Sequence, residues 1–232
     1  MELIWHGTKQ AVLLLVRGDP DVLRITLLSL QVSGTATLLS LLVGIPLGTV
    51  LALNRFPGRS LAISLVNTGM GLPPVVVGLF VSIFLWRSGP LGFLGLLYTP
   101  TAIVIAQLVI AAPIVTGLTL AAVQQLNPRL RVQLVGLGAS QPQVVWLLLK
   151  EARLPLLAAV MAGFGGVISE IGASMMVGGN IYRQPRVLTT ATVLETSRGN
   201  FDMAIALSLL LLLLTFAVNW TLTWVQQRGR TP

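Results

Sequence analysis

An all-α integral membrane protein with about five transmembrane helices is the fold the sequence predicts, on three observations. The 232 residues are 54% hydrophobic and only 9% charged, with a mean hydropathy of +0.86, whereas a soluble domain is about 25% charged. Long apolar runs, near the ~20 residues a bilayer crossing needs, alternate with short turns that hold the charge. One sizeable polar interruption, Asn127 to Pro155 (NPRLRVQLVGLGASQPQVVWLLLKEARLP), sets Arg129, Arg131, Lys150 and Arg153 against Glu151 alone. That is the pattern of a cytoplasmic loop under the positive-inside rule.

Composition also excludes function classes. The net charge of +8 could suggest a nucleic-acid binder, but the basic residues sit at the ends of apolar runs and form no continuous face. Cysteine is absent and His6 is the sole histidine. Disulfides, thiol chemistry, a Cys/His metal site and a Ser-His or Cys-His pair within the membrane are therefore not expected, and neither catalytic residues nor metal ligands are assigned. The only lysines, Lys9 and Lys150, lie outside any G-x-x-x-x-G-K-[ST] loop, so ATP drive would require a separate polypeptide.

Residues 1–21 hold one short apolar run, Ala11 to Val16, too short to cross and read as an amphipathic extracytoplasmic segment on the lipid surface. A single transmembrane domain follows over 22–225, with spans at about 22–53, 61–86, 100–126, 155–176 and 203–225 and a cytoplasmic tail at 226–232. The first span, as one helix, would run about 48 Å, so it must tilt, project or bend near Pro46. Its Thr26, Ser29, Ser33, Thr37, Ser40, Gly44 and Gly48 share one face, either for close helix packing or to line a polar path; packing is the preferred reading.

After the basic turn Asn54 to Arg59, the second span holds Gly69, Gly71, Pro73 and Pro74. Paired prolines free backbone carbonyls that lipid does not tolerate, so this point either lines a conduit or kinks against protein. A Gly-rich connection, Arg87 to Thr99, leads to the third span, where Ala102, Ala106, Pro113, Gly117 and Ala121 form another small-residue face. In the fourth, Ala159, Gly163, Gly166, Glu170 and Ala173 follow helical spacing. Glu170 is the one acid within a predicted span and must face protein or water. It is read as a hydrogen-bonded structural carboxyl in preference to an ion-coupling site.

Val177 to Asp202 is expected to return through water. Gly178, Gly179 and Asn180 allow a tight turn, while Arg183, Arg186 and Arg198 with Thr189, Thr190 and Thr192 offer donors to an anion. The leucine-rich last span ends at Trp220, Trp224 and a basic tail, placing the C-terminus inside and the N-terminus outside. Basic residues divide eight inside to seven outside, so this orientation leans on family likeness as well.

Within the central loop, a helical run from Leu130 to Leu137 meets Gly138, a turn of Ala139, Ser140, Gln141 and Pro142, and a second helical run reaching Leu154-Pro155. This glycine elbow resembles the EAA loop of ABC importer permeases, the part that docks on the ATPase. Where that family usually writes Glu-Ala-Ala, six to four residues before the glycine, this chain has Val132, Gln133 and Leu134, which leaves no acid for a salt bridge from position 132. Phe164 to Ile181 (FGGVISEIGASMMVGGNI) and Arg186 to Phe201 (RVLTTATVLETSRGNF) resemble the tungstate-type branch of the molybdate/tungstate permeases. With Ile25 to Gly48 and Gly71 to Leu79, the resemblance covers most of the chain.

The resemblance implies a type I ABC importer permease-like fold and a transport subunit, not an enzyme, in the inner (plasma) membrane. Two copies would pair as a homodimer around a central conduit worked by alternating access. Two ATP-binding subunits, carrying the ATP and Mg, would grip the coupling loop at Arg131, Gln133, Gly138, Ala139, Ser140 and Pro142, and this chain would bind no cofactor. An extracytoplasmic binding protein would deliver the oxyanion, tungstate or molybdate. Pro73, Pro74, Glu170, Gly178, Gly179, Asn180, Thr189 and Thr190 are the candidate path or gate residues. The rival expectation is an ion-coupled secondary transporter or channel using Glu170, for which an inverted repeat would be usual; none is evident.

Overall fold

Among the described residues, three helices are long and apolar enough to cross a membrane singly, and two bent pairs each reach that length and hydropathy when taken together. The structure is a computed structural model that describes residues 2–179 and 185–228, all helical or irregular with no strand among them. The chain order is α1 (Glu2–Arg17), α2 (Pro20–Leu53), α3 (Arg59–Met70), α4 (Pro74–Leu85), a 3-10 turn (Gly92–Leu94), α5 (Pro100–Gln124), α6 (Pro128–Gly136), α7 (Gln141–Glu151), α8 (Arg153–Ile168), α9 (Gly172–Gly178), α10 (Leu188–Ser197) and α11 (Phe201–Arg228).

The centre is the α2–α5 pair. Ser29, Ser33, Thr37, Ser40, Gly44 and Gly48 are buried. A Cβ at Gly44 would lie 2.7 Å from Val115 Cγ1, and one at Gly48 would lie 2.5 Å from the Thr116 carbonyl oxygen. The stripe therefore exists to let two backbones approach, the packing alternative of the two expected. Three of its hydroxyls donate within α2: Ser29 to the Ile25 carbonyl, Thr37 to the Ser33 carbonyl and Ser40 to the Thr37 carbonyl, each at 2.7 Å. Such back-bonding satisfies a hydroxyl in an apolar setting without offering it to a solute. Pro46 lies inside α2 without ending it.

The expected second span is not one helix. α3 and α4 meet at 102°, across Gly71, Leu72 and Pro73, because a proline at the start of α4 has no N–H to continue α3 and forces its predecessor out of helical conformation. The fourth is broken too: α8 and α9 meet at 56°, with Ser169, Glu170 and Ile171 between them. Glu170 therefore does not sit on a continuous helix face as its spacing predicted.

At the N-terminus, α1 extends well past the six-residue apolar run and packs on α11, where Gly7 lets it close against Ile205. The segment expected to pass through water carries a further correction. Leu188 and Ala191 of α10 are buried against α2 and α11, and Thr189 and Thr190 are buried with their hydroxyls bonded to the Glu170 and Val187 carbonyls, so they cease to need water.

Candidate functional site

The elbow between α6 and α7 is built by local rules. Asn127 Oδ1 accepts from the Arg129 N–H at 3.0 Å to cap α6, with Pro128 in the first turn where its missing N–H is harmless. α6 closes on Gly138 at φ +84°. There the Gly138 N–H reaches the Val135 carbonyl at 3.0 Å and the Ala139 N–H reaches the Leu134 carbonyl at 3.1 Å, a left-handed helix stop. Nothing lies within 4 Å of a Cβ added at Gly138, so glycine is required there for its backbone angle and not for room. The Gln143 carboxamide oxygen then accepts from the Ser140 N–H at 2.8 Å and from its hydroxyl at 3.0 Å, opening α7 with Pro142 in the first turn.

α7 turns Val144 and Leu148 into the bundle while Trp146 faces out under Lys150, 5.1 Å from the ring centre. Large apolar side chains stand exposed on the elbow: Leu137 is 84% exposed and Val132 72%. Gln133, Ser140 and Pro142 are exposed beside them. Arg131 points the other way and donates to the Leu53 carbonyl at 2.8 Å. Arg59 donates to the Leu51 carbonyl at 2.7 Å. Two guanidiniums thus hold the carbonyls that α2 leaves open at its end, where the helix dipole is negative.

Deeper in the bundle the two helix breaks meet. A Cβ on Gly78 would lie 2.6 Å from Ala173 Cα, and one on Gly172 would lie 2.7 Å from Val75 Cγ2. Val75, which follows Pro74, thereby lies at Gly172 beside the Glu170 carboxylate. The Glu170 carboxylate, in a residue only 7% exposed, accepts from the Ala173 N–H at 2.9 Å and caps α9. Its own carbonyl accepts from the Thr189 hydroxyl at 2.9 Å. Gln107 of α5 donates to the Val167 carbonyl at 3.0 Å, and the Glu170 N–H returns to the same carbonyl at 3.2 Å. These bonds pair several backbone groups of the break, as backbone away from water requires, while the Gln107 Oε1 is buried without a partner among the described residues.

Gly178 backs onto Ile103 and Gly179, at φ +76°, onto the Tyr98 ring, whose residue donates its N–H to the Val177 carbonyl at 2.8 Å. Thr190 Oγ1 lies 3.2 Å from the Val187 N–H and accepts from it. Asn180 and Arg183 fall outside the described residues. Gln107 was not singled out beforehand, and Ser29, expected only as part of the small-residue stripe, accepts from the Leu188 N–H at 2.7 Å. A lone amide within the apolar run TAIVIAQLVIAA was the signal for Gln107.

A helical bundle that spans a membrane while keeping an apolar elbow fastened to its longest helix has the architecture of a transport permease. Residues 44–231 match the model of the binding-protein-dependent transport system inner membrane components, and the chain belongs to that family. It is 42% identical to the tungstate uptake system permease protein TupB of Peptoclostridium acidaminophilum, over 98% of this chain and 100% of that one. Against a probable anion ABC transporter permease protein of Haloferax volcanii the identity is 39%, over 90% and 91%. Its fold matches a chain of the inward-facing MetNI methionine ABC transporter with TM-score 0.74 at 20% identity, covering 90% of this chain and 96% of that one.

Proposed function

We propose that two copies of this chain form the conduit of an ATP-driven importer for tungstate or a like oxyanion. Two separate ATPase subunits, which hold the ATP and Mg, drive it from the cytoplasmic side, and an extracytoplasmic binding protein delivers the cargo. The cargo reading draws on the full-length likeness to a tungstate permease. The observation that carries the drive is the elbow: exposed Val132, Leu137 and Trp146 offer an apolar docking face on a segment that otherwise meets water. Arg131 fastens that face to α2, so closure of the ATPases becomes a rotation of the spans. In this orientation the elbow and the C-terminus are cytoplasmic and the start of α2 is outside.

Glu170 fits a structural place better than an ion-coupling one, because its carboxylate is engaged at the start of α9. The deciding experiment is reconstitution of the permease with its ATPase and binding protein in liposomes. Tungstate accumulation should require ATP. Accumulation by the permease alone under an ion gradient would overturn the proposal.

A further inference from the structure

Where α2 ends beside the elbow lies a cavity of about 480 Å³ whose lining includes Arg55, Arg59, Gln124, Asn127 and Arg131. Three arginines meet there with no carboxylate among the lining residues. Glu151, the one acid of the sequence between Asp21 and Glu170, lines a different cavity with Lys150 and Arg153. Like charges gathered without a counter-charge repel one another, and an anion seated among them removes that cost.

Donors for such an anion are in place. Arg59 gives its Nε–H to the Leu51 carbonyl and Arg131 gives one N–H of Nη1 to the Leu53 carbonyl, which uses one of the five N–H groups of each guanidinium. These bonds also cover carbonyls at the negative end of α2, which would otherwise repel an anion. α3 starts at Arg59 with no side-chain cap, so the positive end of its dipole stands at the same turn. Arg55 is exposed and has no hydrogen bond or ion pair among the described residues. Next in the chain come bare apolar side chains: Phe56 is 41% exposed, and Leu61 and Leu65 of α3 are 66% and 64% exposed. A basic cavity beside such hydrocarbon suits a ligand with a charged head and an apolar tail better than a fully hydrated free ion.

We infer that this cavity seats the phosphate of an anionic phospholipid from the leaflet on the elbow's side, held by Arg55, Arg59 and Arg131. One phosphate would then tie the turn after α2 to α6. The inference goes beyond the import reading and is independent of the cargo and of which side of the membrane the elbow occupies. A merely basic surface would draw anionic lipid to Arg129 as well, which is exposed on the same loop but does not line the cavity. A seat for one phosphate makes Arg55 and Arg129 unequal.

The permease co-purified with its ATPase, in neutral detergent, is titrated with phosphatidylglycerol or with phosphatidylcholine of the same chains, and lipid retained on the permease is counted by native mass spectrometry. Phosphatidylglycerol should half-saturate at a concentration about fivefold or more below that for phosphatidylcholine, and Arg55→Gln should raise that concentration about fivefold. Arg55→Gln touches no carbonyl bond of α2, so its fold is kept, and Arg129→Gln should leave lipid retention unchanged. Equal retention of the two lipids overturns the inference, as when a carboxylate of the ATPase fills the cavity. So does unchanged half-saturation in Arg55→Gln, or a loss in Arg129→Gln as large as that in Arg55→Gln. Displacement of phosphatidylglycerol by millimolar tungstate at constant ionic strength overturns it too, and assigns the cavity to a free dianion. Lipid retention is read without transport, so its failure leaves the import reading standing, and failed tungstate uptake leaves the lipid site standing.

Discussion

Glu170 illustrates how one side chain's surroundings decide between a carrier of protons and a piece of scaffold. Its carboxylate receives the Ala173 N–H and its carbonyl receives the Thr189 hydroxyl, so both ends of the residue hold a helix break together. Glu170→Gln keeps an acceptor for Ala173 and should retain ATP-driven uptake. Glu170→Ala leaves that N–H bare and should cost about 1 kcal/mol, as a lost N-cap does, read as earlier thermal unfolding in detergent. Should Glu170→Gln abolish uptake with unfolding unchanged, ion coupling returns. Gly138 makes a different demand. Gly138→Val places a branched residue at φ +84°, a strain of ~1–2 kcal/mol confined to the elbow. ATP hydrolysis should continue in the reconstituted complex while tungstate accumulated per ATP falls.

Among the elements, the long apolar helices α2, α5 and α11 were legible from hydropathy, and the elbow from Gly138 among basic residues. The adjacent prolines 73 and 74 announced a break, but not its 102° angle, which depends on α4 lying against α9. The break at Glu170 carries no proline, so its only local signals were Ser169, an acid in an apolar run and Gly172. α10 misled because LTTATVLETS reads as polar, yet Thr192 donates to the Leu188 carbonyl at 2.9 Å and Thr189 to Glu170, which uses up the polarity that suggested water. Gln107 tests the account of the α8–α9 break. Gln107→Leu removes one of the two donors to the Val167 carbonyl and should destabilise the bundle by ~0.5–1.5 kcal/mol, measured by thermal unfolding.

As a whole molecule, the bundle leaves apolar surface uncovered on several sides, with Leu42 72% exposed on α2 and Phe216 and Trp220 exposed on α11. Lipid can cover such faces, and so can a second copy. The proposed homodimer predicts a protein mass, after subtraction of detergent, of about twice 24.7 kDa in light scattering; a stable single-copy particle that still transports would contradict the two-copy conduit. Arg131→Ala joins this scale to the elbow. It releases the Leu53 carbonyl and should lower transport per ATP without weakening ATPase binding, as judged by co-purification.

The fastening of Arg59 and Arg131 to the carbonyls of Leu51 and Leu53 reaches further than its own neighbourhood. α2 continues from there to Pro20 as one rod, ~50 Å at 1.5 Å per residue. A rod gripped at its foot needs no relay of side chains along its length: a tilt of about 5° would sweep the far tip by about 4 Å over that span. The far tip carries Arg24 and Gln31, so a movement imposed at the foot reaches them by stiffness alone.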